Sequence, residues 1–221
     1  MEKPRFEPAS RRSTVRRVAR RASYDPAVVH AILDAGLVAH VAFSHADHPF
    51  VIPMAYVRKG SELVLHGAVA SRLLAIGSEG LPMACCVTLL DGLVYAKSAF
   101  HHSVNYRSVV VLGLAREVTE ETEKRGFLEA LVDRVSPGRA RQVRTPNAKE
   151  LAATRVLAIP IDEASAKVRT GGPVDDAEDL AWPVWAGHVP VALRAMSPIR
   201  AVEVDAPDAV FEPPTVAPDL L

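Results

Sequence analysis

The sequence predicts a mainly β protein: a small antiparallel six-stranded barrel decorated by helices. Three observations carry that reading. Short runs rich in Val, Leu, Ile and Phe recur between clusters of turn residues, as hairpin-linked strands do. Segments with helical spacing are few and do not alternate regularly with the strands, which excludes a doubly wound parallel sheet. The 221 residues, 49% hydrophobic and 24% charged, suffice for one substantial core, and no apolar run reaches the roughly 18–20 residues that span a bilayer.

Each element follows in order. Asp25-Pro26 starts a helix, with Asp as N-cap and Pro in the first helical position. Val28, Val29, Ile32 and Leu33 then recur at helical spacing, and Gly36 closes it. LVAHVAF (37–43) is a strand, SHADHP a turn, and FVIPMAYV (50–57) the returning strand. Pro53 brings no ladder donor, so that strand lies at an edge or has interrupted pairing. SELVLHG (61–67) is a third strand, and Val69, Leu73, Leu74 and Ile76 mark a short helix. PMACCVTLL (82–90) is a fourth strand, Asp91-Gly92 signals a hairpin, and LVYAKSA (93–99) continues as the fifth. FHHSVN (100–105) is a loop before the sixth strand, YRSVVVLGLAREV (106–118). Thr119 caps a helix whose buried stripe is Phe127, Leu128, Leu131, Val132 and Val135, and Pro137-Gly138 stops it. Thr145-Pro146 opens a shorter helix to about Ala153, and RVLAIPI (155–161) and ASAKVR (164–169) are two further extended segments.

The charge is balanced but unevenly placed. Residues 1–24 hold eight Lys/Arg against Glu2 and Glu7, whereas the chain from Glu203 onward holds five acids and no base. The basic arm has no interleaved aromatics, so a solvated or packed extension is favoured over a nucleic-acid-binding one. It has no apolar core of a secretory signal. The only cysteines, Cys85 and Cys86, are adjacent and point to opposite faces of a strand, so neither a disulfide nor a metal site follows. A reducing, cytoplasmic location is expected.

Two stretches carry candidate chemistry. In LVLHGAVASRLL (63–74), His66-Gly67 ends a strand, and Ser71-Arg72 stand where a helix begins. A hydroxyl, a guanidinium and a glycine that admits close backbone approach make a phosphate cradle, although Ser-Arg at a helix start is also common without one. In KSAFHHSVNYRSVVV (97–111), two histidines, a tyrosine, an arginine and three serines lie between apolar segments. His101 and His102 lack companions at zinc spacing, so no metal site is expected; a substrate-facing or interface-lining pair remains open. Trp182 and Trp185, in a chain with 5% aromatic residues, suit a ligand lid, a subunit contact or packing on the barrel.

Together these stretches resemble the FMN-binding split-barrel proteins related to pyridoxamine 5′-phosphate oxidase, nearest the nitroimidazole-resistance, nitroreductase-like subgroup. The similarity runs from about Ser23 to Val191, which divides the chain into an arm (1–22), a split-barrel domain (23–191) and an acidic, proline-rich extension (192–221). The resemblance implies FMN bound by Pro53, Met54, His66, Gly67, Ser71, Arg72, Tyr106, Arg107 and Ser108. His66 is the implied proton donor, and His101, His102, Trp182 and Trp185 the implied substrate or interface contacts. It further implies a homodimer with a flavin site at the subunit interface and reduction of a small electrophile such as a nitroaromatic. A non-catalytic flavin-binding or sensing protein, and a split barrel using F420 or haem, are the alternatives. The family's name-giving oxidase ends in a basic segment; this chain ends acidic, which argues against that activity. Relatives usually carry arginine where Lys97 stands.

Overall fold

The computed structural model describes residues 7–199. In chain order its strands are β1 (Ala22–Ser23), β2 (Val38–His45), β3 (His48–Lys59), β4 (Glu62–Ala68), β5 (Pro82–Tyr95), β6 (Ser103–Leu114), β7 (Arg116–Glu117), β8 (Thr154–Pro160), β9 (Ala164–Arg169) and β10 (Gly187–Pro190). The helices are α1 (Pro26–Ala35), α2 (Arg72–Ser78), α3 (Glu121–Val135) and α4 (Ala148–Ala153). Every pairing is antiparallel, in the order β1-β9-β6-β5-β2-β3-β4-β8-β7, with β10 added on β5. The expected six-stranded barrel is therefore a ten-stranded sheet that curls without its two end strands, β1 and β7, pairing.

The sheet wraps one core and carries a second on its other face. Val41, Leu63, Leu65, Leu73, Leu74, Val87, Val109, Leu157 and Ile159 fill the interior, which α1 and α2 help to close. On the other face, Phe127 and Leu131 of α3 cover Val57, Val64, Val156 and Ala158. Alternation along the strands produces both layers, because successive side chains point to opposite faces. Cys85 is fully buried and Cys86 half-buried on the other face, as the alternation predicts.

Local chemistry sets the element ends. Asp25 caps α1 by accepting from the Ala27 N–H at 2.8 Å. Gly36, just past α1, lies so close to the sheet that a Cβ there would stand 2.5 Å from Val87 Cγ1 and 2.6 Å from Tyr56 Oη. Ala46 and Asp47 turn β2 into β3, both at positive φ, as a tight two-residue hairpin requires. Pro53 behaves as expected: β3 pairs with β4 only over Tyr56–Lys59, so the half carrying Pro53 has β2 alone as neighbour.

Four expectations are corrected. Asp91-Gly92 makes no hairpin; β5 runs unbroken through it with a bulge between Leu90 and Gly92. Arg107 of β6 holds the Asp91 carboxylate, and Gly92 admits β10, whose Val189 carbonyl oxygen would lie 3.0 Å from an added Cβ. The sixth strand begins at Ser103, inside the expected loop, and stops at Leu114. Glu120, not Thr119, caps α3 by accepting from two backbone N–H groups, and Val132 and Val135 are exposed, because α3 presents a narrower stripe to the sheet. Asn147 and Glu150 form a reciprocal capping box on α4, which displaces Thr145-Pro146 as the start.

Part of the basic arm packs on the sheet. Arg12 reaches Glu163 at 2.5 Å, Ser10 bonds the same carboxylate, and Tyr24 accepts from the Val15 N–H at 2.8 Å. The acidic stretch from Glu203 lies outside the described residues. No helix among them is long and apolar enough to cross a membrane.

Candidate functional site

Residues directly opposite in an antiparallel ladder share a face. His40 lies between Pro53 and Cys86, Ala42 between Val51 and Ala84, and Cys86 and Ala84 face Val110 and Leu112. These make a small-residue, mostly apolar outer face across β3, β2, β5 and β6, on which Val51 is 63% exposed.

The first predicted group gathers where β3 meets α2. The Arg72 guanidinium carbon lies 5.1 Å from the centroid of the Phe50 ring. A Cβ on Gly67 would stand 3.0 Å from Leu74 Cδ1 and 3.9 Å from Met54 Cε, so glycine keeps this corner open. Ser71 precedes α2 but makes no side-chain cap bond. His66 lies opposite Val156 on β4, half-buried, with its Nδ1 buried and without a hydrogen-bond partner. Burial pushes its pKa down, so the ring is neutral at pH 7.

Tyr106, Arg107 and Ser108 stand apart from that group. They lie on β6, three strands from β3, or about 14 Å at ~4.8 Å per strand. They are also split between faces. Tyr106 opposes Leu90 and Arg169, and Ser108 opposes Thr88 and Lys167, with its hydroxyl donating to the Lys167 carbonyl at 3.3 Å. Arg107 points the other way into a bidentate pair with Asp91, which raises the guanidinium pKa further.

The third group is a tight turn before β6. His102 places Nδ1 2.9 Å from the Ser98 carbonyl oxygen. A carbonyl only accepts, so Nδ1 is the donor, and in the neutral form of the ring the lone pair is on Nε2. Tyr95 meets the His102 ring edge-on at 6.0 Å and the Trp185 ring at 5.8 Å. Phe100, Trp182 and Trp185 are 89%, 62% and 65% exposed. Lys97 Nζ donates to the carbonyls of Trp182 (2.6 Å) and Val184 (3.0 Å), and so ties the tryptophan segment to the turn. His101 turns away to Asp176 at 3.0 Å. Asp179 completes a group whose ligand atoms lie within 4.8 Å of one another, a juxtaposition that a separation of 75 residues hides from spacing rules.

The pyridoxamine 5′-phosphate oxidase family model matches residues 25–168. The chain belongs to this family. It superposes on the flavocytochrome Anf3 from Azotobacter vinelandii with a TM-score of 0.87 and 39% identity over 97% of each chain. An FAD- and haem-binding protein from Mycobacterium smegmatis gives 0.81 and 39%, covering 86% of this chain and 95% of that one. A 5-nitroimidazole antibiotic resistance protein from Bacteroides thetaiotaomicron gives 0.53 and 17% over 66% and 86%, a likeness of fold alone. No curated protein matches. The architecture is thus the split barrel expected from the sequence.

This family member also carries an apolar cavity of about 800 Å³ that includes none of the predicted site residues. Phe43, Phe50, Met83 and Leu114 line it with Arg12 at its rim, and Phe50 is the side chain that Arg72 covers from the α2 side. Sequence reading missed Asp91, Asp176 and Asp179 because their partners come from distant strands.

Proposed function

We propose that the protein is a flavin-dependent redox protein that holds a second cofactor, a haem. The support is likeness along nearly the whole chain to a flavocytochrome and to an FAD- and haem-binding protein, together with one observation on this chain. That observation is His102. Its Nδ1–H is committed to the Ser98 carbonyl, its side chain is exposed, and its ring meets Tyr95, which in turn packs on Trp185. A backbone carbonyl on one nitrogen and a free lone pair on the other is the arrangement an iron-ligating histidine needs. A haem supplies one-electron chemistry, which a flavin couples to two-electron donors.

The flavin is assigned to the corner of Pro53, Met54, His66, Gly67, Ser71 and Arg72, where a guanidinium and an uncommitted hydroxyl suit a phosphate. FMN was the expectation from resemblance; the 39%-identical relative is described with FAD, which favours the dinucleotide here. The working unit is a homodimer in which the outer face of β2, β3, β5 and β6, with Trp182 and Trp185, meets its symmetry mate. Two unpaired cysteines suit a reducing cytoplasm.

The deciding experiment is the spectrum of purified full-length protein, with extraction of its flavin. Flavin bands plus a Soret band are expected, and His102→Ala loses the Soret band while keeping the flavin. A Soret band unchanged in that variant removes His102 from the haem. The extracted flavin, FMN or FAD, decides the nucleotide.

A second reading, reduction of a small electrophile such as a nitroaromatic, rests on His66. Its ring stands at the flavin corner and burial keeps it neutral, so it passes a proton to a reduced product only after taking one up from solvent, a step that lower pH favours. Reductant-driven loss of nitro absorbance, weakened in His66→Ala, supports it; no turnover with wild-type protein ends it.

A further inference from the structure

Arg169 closes β9 opposite Tyr106 and is buried, 6% exposed. An arginine keeps its charge at any working pH, so burial without an anion is costly. Among the described residues Arg169 has no carboxylate partner. Its Nη1 donates to Asn105 Oδ1 and the Gly171 carbonyl, and its Nη2 to the Gly172 carbonyl at 3.2 Å, all neutral acceptors. Its Nε is buried with no partner at all. A second cation, the half-buried Arg21 just before β1 on β9, further disfavours the Arg169 charge that burial already penalises. Lys167 stands two residues back on the same face, paired with Ala22 and Ser108. Three cations thus stand on this part of the sheet, and among the described residues no acid pairs with any of them.

We infer that Arg169 and Arg21, with the Tyr106 hydroxyl and Lys167 at the margin, form a binding site for a small oxyanion, a carboxylate or a phosphate. The unpaired Nε is a donor already desolvated, so an oxyanion gains a strong bond there without a further dehydration cost to the protein. The site lies on the ladder that begins at the proposed haem ligand: His102 and Tyr106 are four residues apart, about 13 Å at ~3.3 Å per residue. An acidic edge of the haem, its propionates, is the source this placement favours. That choice of source rests on the haem reading; the anion site does not.

The experiment uses the full chain. With haem bound, haemin is compared with its dimethyl ester, whose propionates carry no charge. Wild type is expected to bind the ester at least 10-fold more weakly, and Arg21→Gln, a change outside the core, to narrow that gap several-fold. Equal affinity for haemin and ester, with an intact Soret band, overturns the propionate assignment. If no haem binds, inorganic phosphate is the probe. A phosphate-dependent rise in the melting temperature, lost in Arg21→Gln and in Arg169→Gln, upholds the anion site without the haem. No phosphate response in the wild type removes the site.

Discussion

Arg107 and Asp91 face each other across the bulge of β5, with Nε 3.0 Å from Oδ2 and Nη2 2.8 Å from Oδ1. The guanidinium fork is thus spent within the sheet. Arg107→Lys keeps the charge and loses the fork; with both side chains partly exposed, the cost is about 0.5–1 kcal/mol of stability. The bound-flavin spectrum and reduction potential are expected to stay where they are. A shifted potential places Arg107 at the cofactor instead.

Arg72 is the opposite case. It lies over the Phe50 ring and, among the described residues, forms no ion pair such as those that occupy Arg107, Arg116 or Arg144. Arg72→Ala is expected to weaken flavin binding by about 1.5–3 kcal/mol, the worth of one charge-assisted bond. Titration of flavin into the apo variant reads this directly, and unchanged affinity moves the phosphate elsewhere.

Tyr56 is 1% exposed and donates its hydroxyl to the Leu33 carbonyl at 2.5 Å, near the end of α1. Burial holds its phenol pKa well above the usual range. Tyr56→Phe leaves that carbonyl unpaired in the core, at a cost of about 1–3 kcal/mol. A urea titration should show a lower midpoint at unchanged slope.

His66 gives the fold a pH dependence. Burial lowers its folded-state pKa below the unfolded value near 6.5, so below neutrality the unfolded chain binds more protons. The His66 contribution is complete above the unfolded pKa. It declines as pH falls toward the folded pKa and levels off beneath it. His66→Leu should remove this part of the acid sensitivity; equal pH slopes for wild type and variant between pH 7.5 and 5 would show the ring to be solvated.

The fold was legible where local rules and tertiary packing agree. Asp25-Pro26, the Val29–Leu33 stripe and the alternation that separates Cys85 from Cys86 all stand as read. Asp91-Gly92 misled because the same dipeptide serves a turn or a bulge, and only the partner across the sheet decides. For the candidate site, the sequence offered residues but not their arrangement. Alternation puts Arg107 on the face opposite Tyr106 and Ser108, but nothing local in YRS reveals that Asp91 waits for it there, or that β2 and β5 lie between this run and Pro53. His102 and Ser98 are close in sequence, yet the bond that fixes the ring depends on the 3-10 turn at Ala99–His101.

The long strand β5 gives one whole edge to β6 and divides the other, with β2 on Ala84–Cys86 and β10 on Gly92–Tyr95. The first half is welded into the interior; β10 adds only four residues, none of them buried. Its amides are held by little more than their own ladder bonds, so they should exchange with solvent hydrogen long before those of β5 and β6. One continuous strand therefore belongs to two cooperative units. The tryptophan-bearing segment that leads into β10, tied by Lys97 to the turn before β6, is expected to open with β10 and not with the barrel.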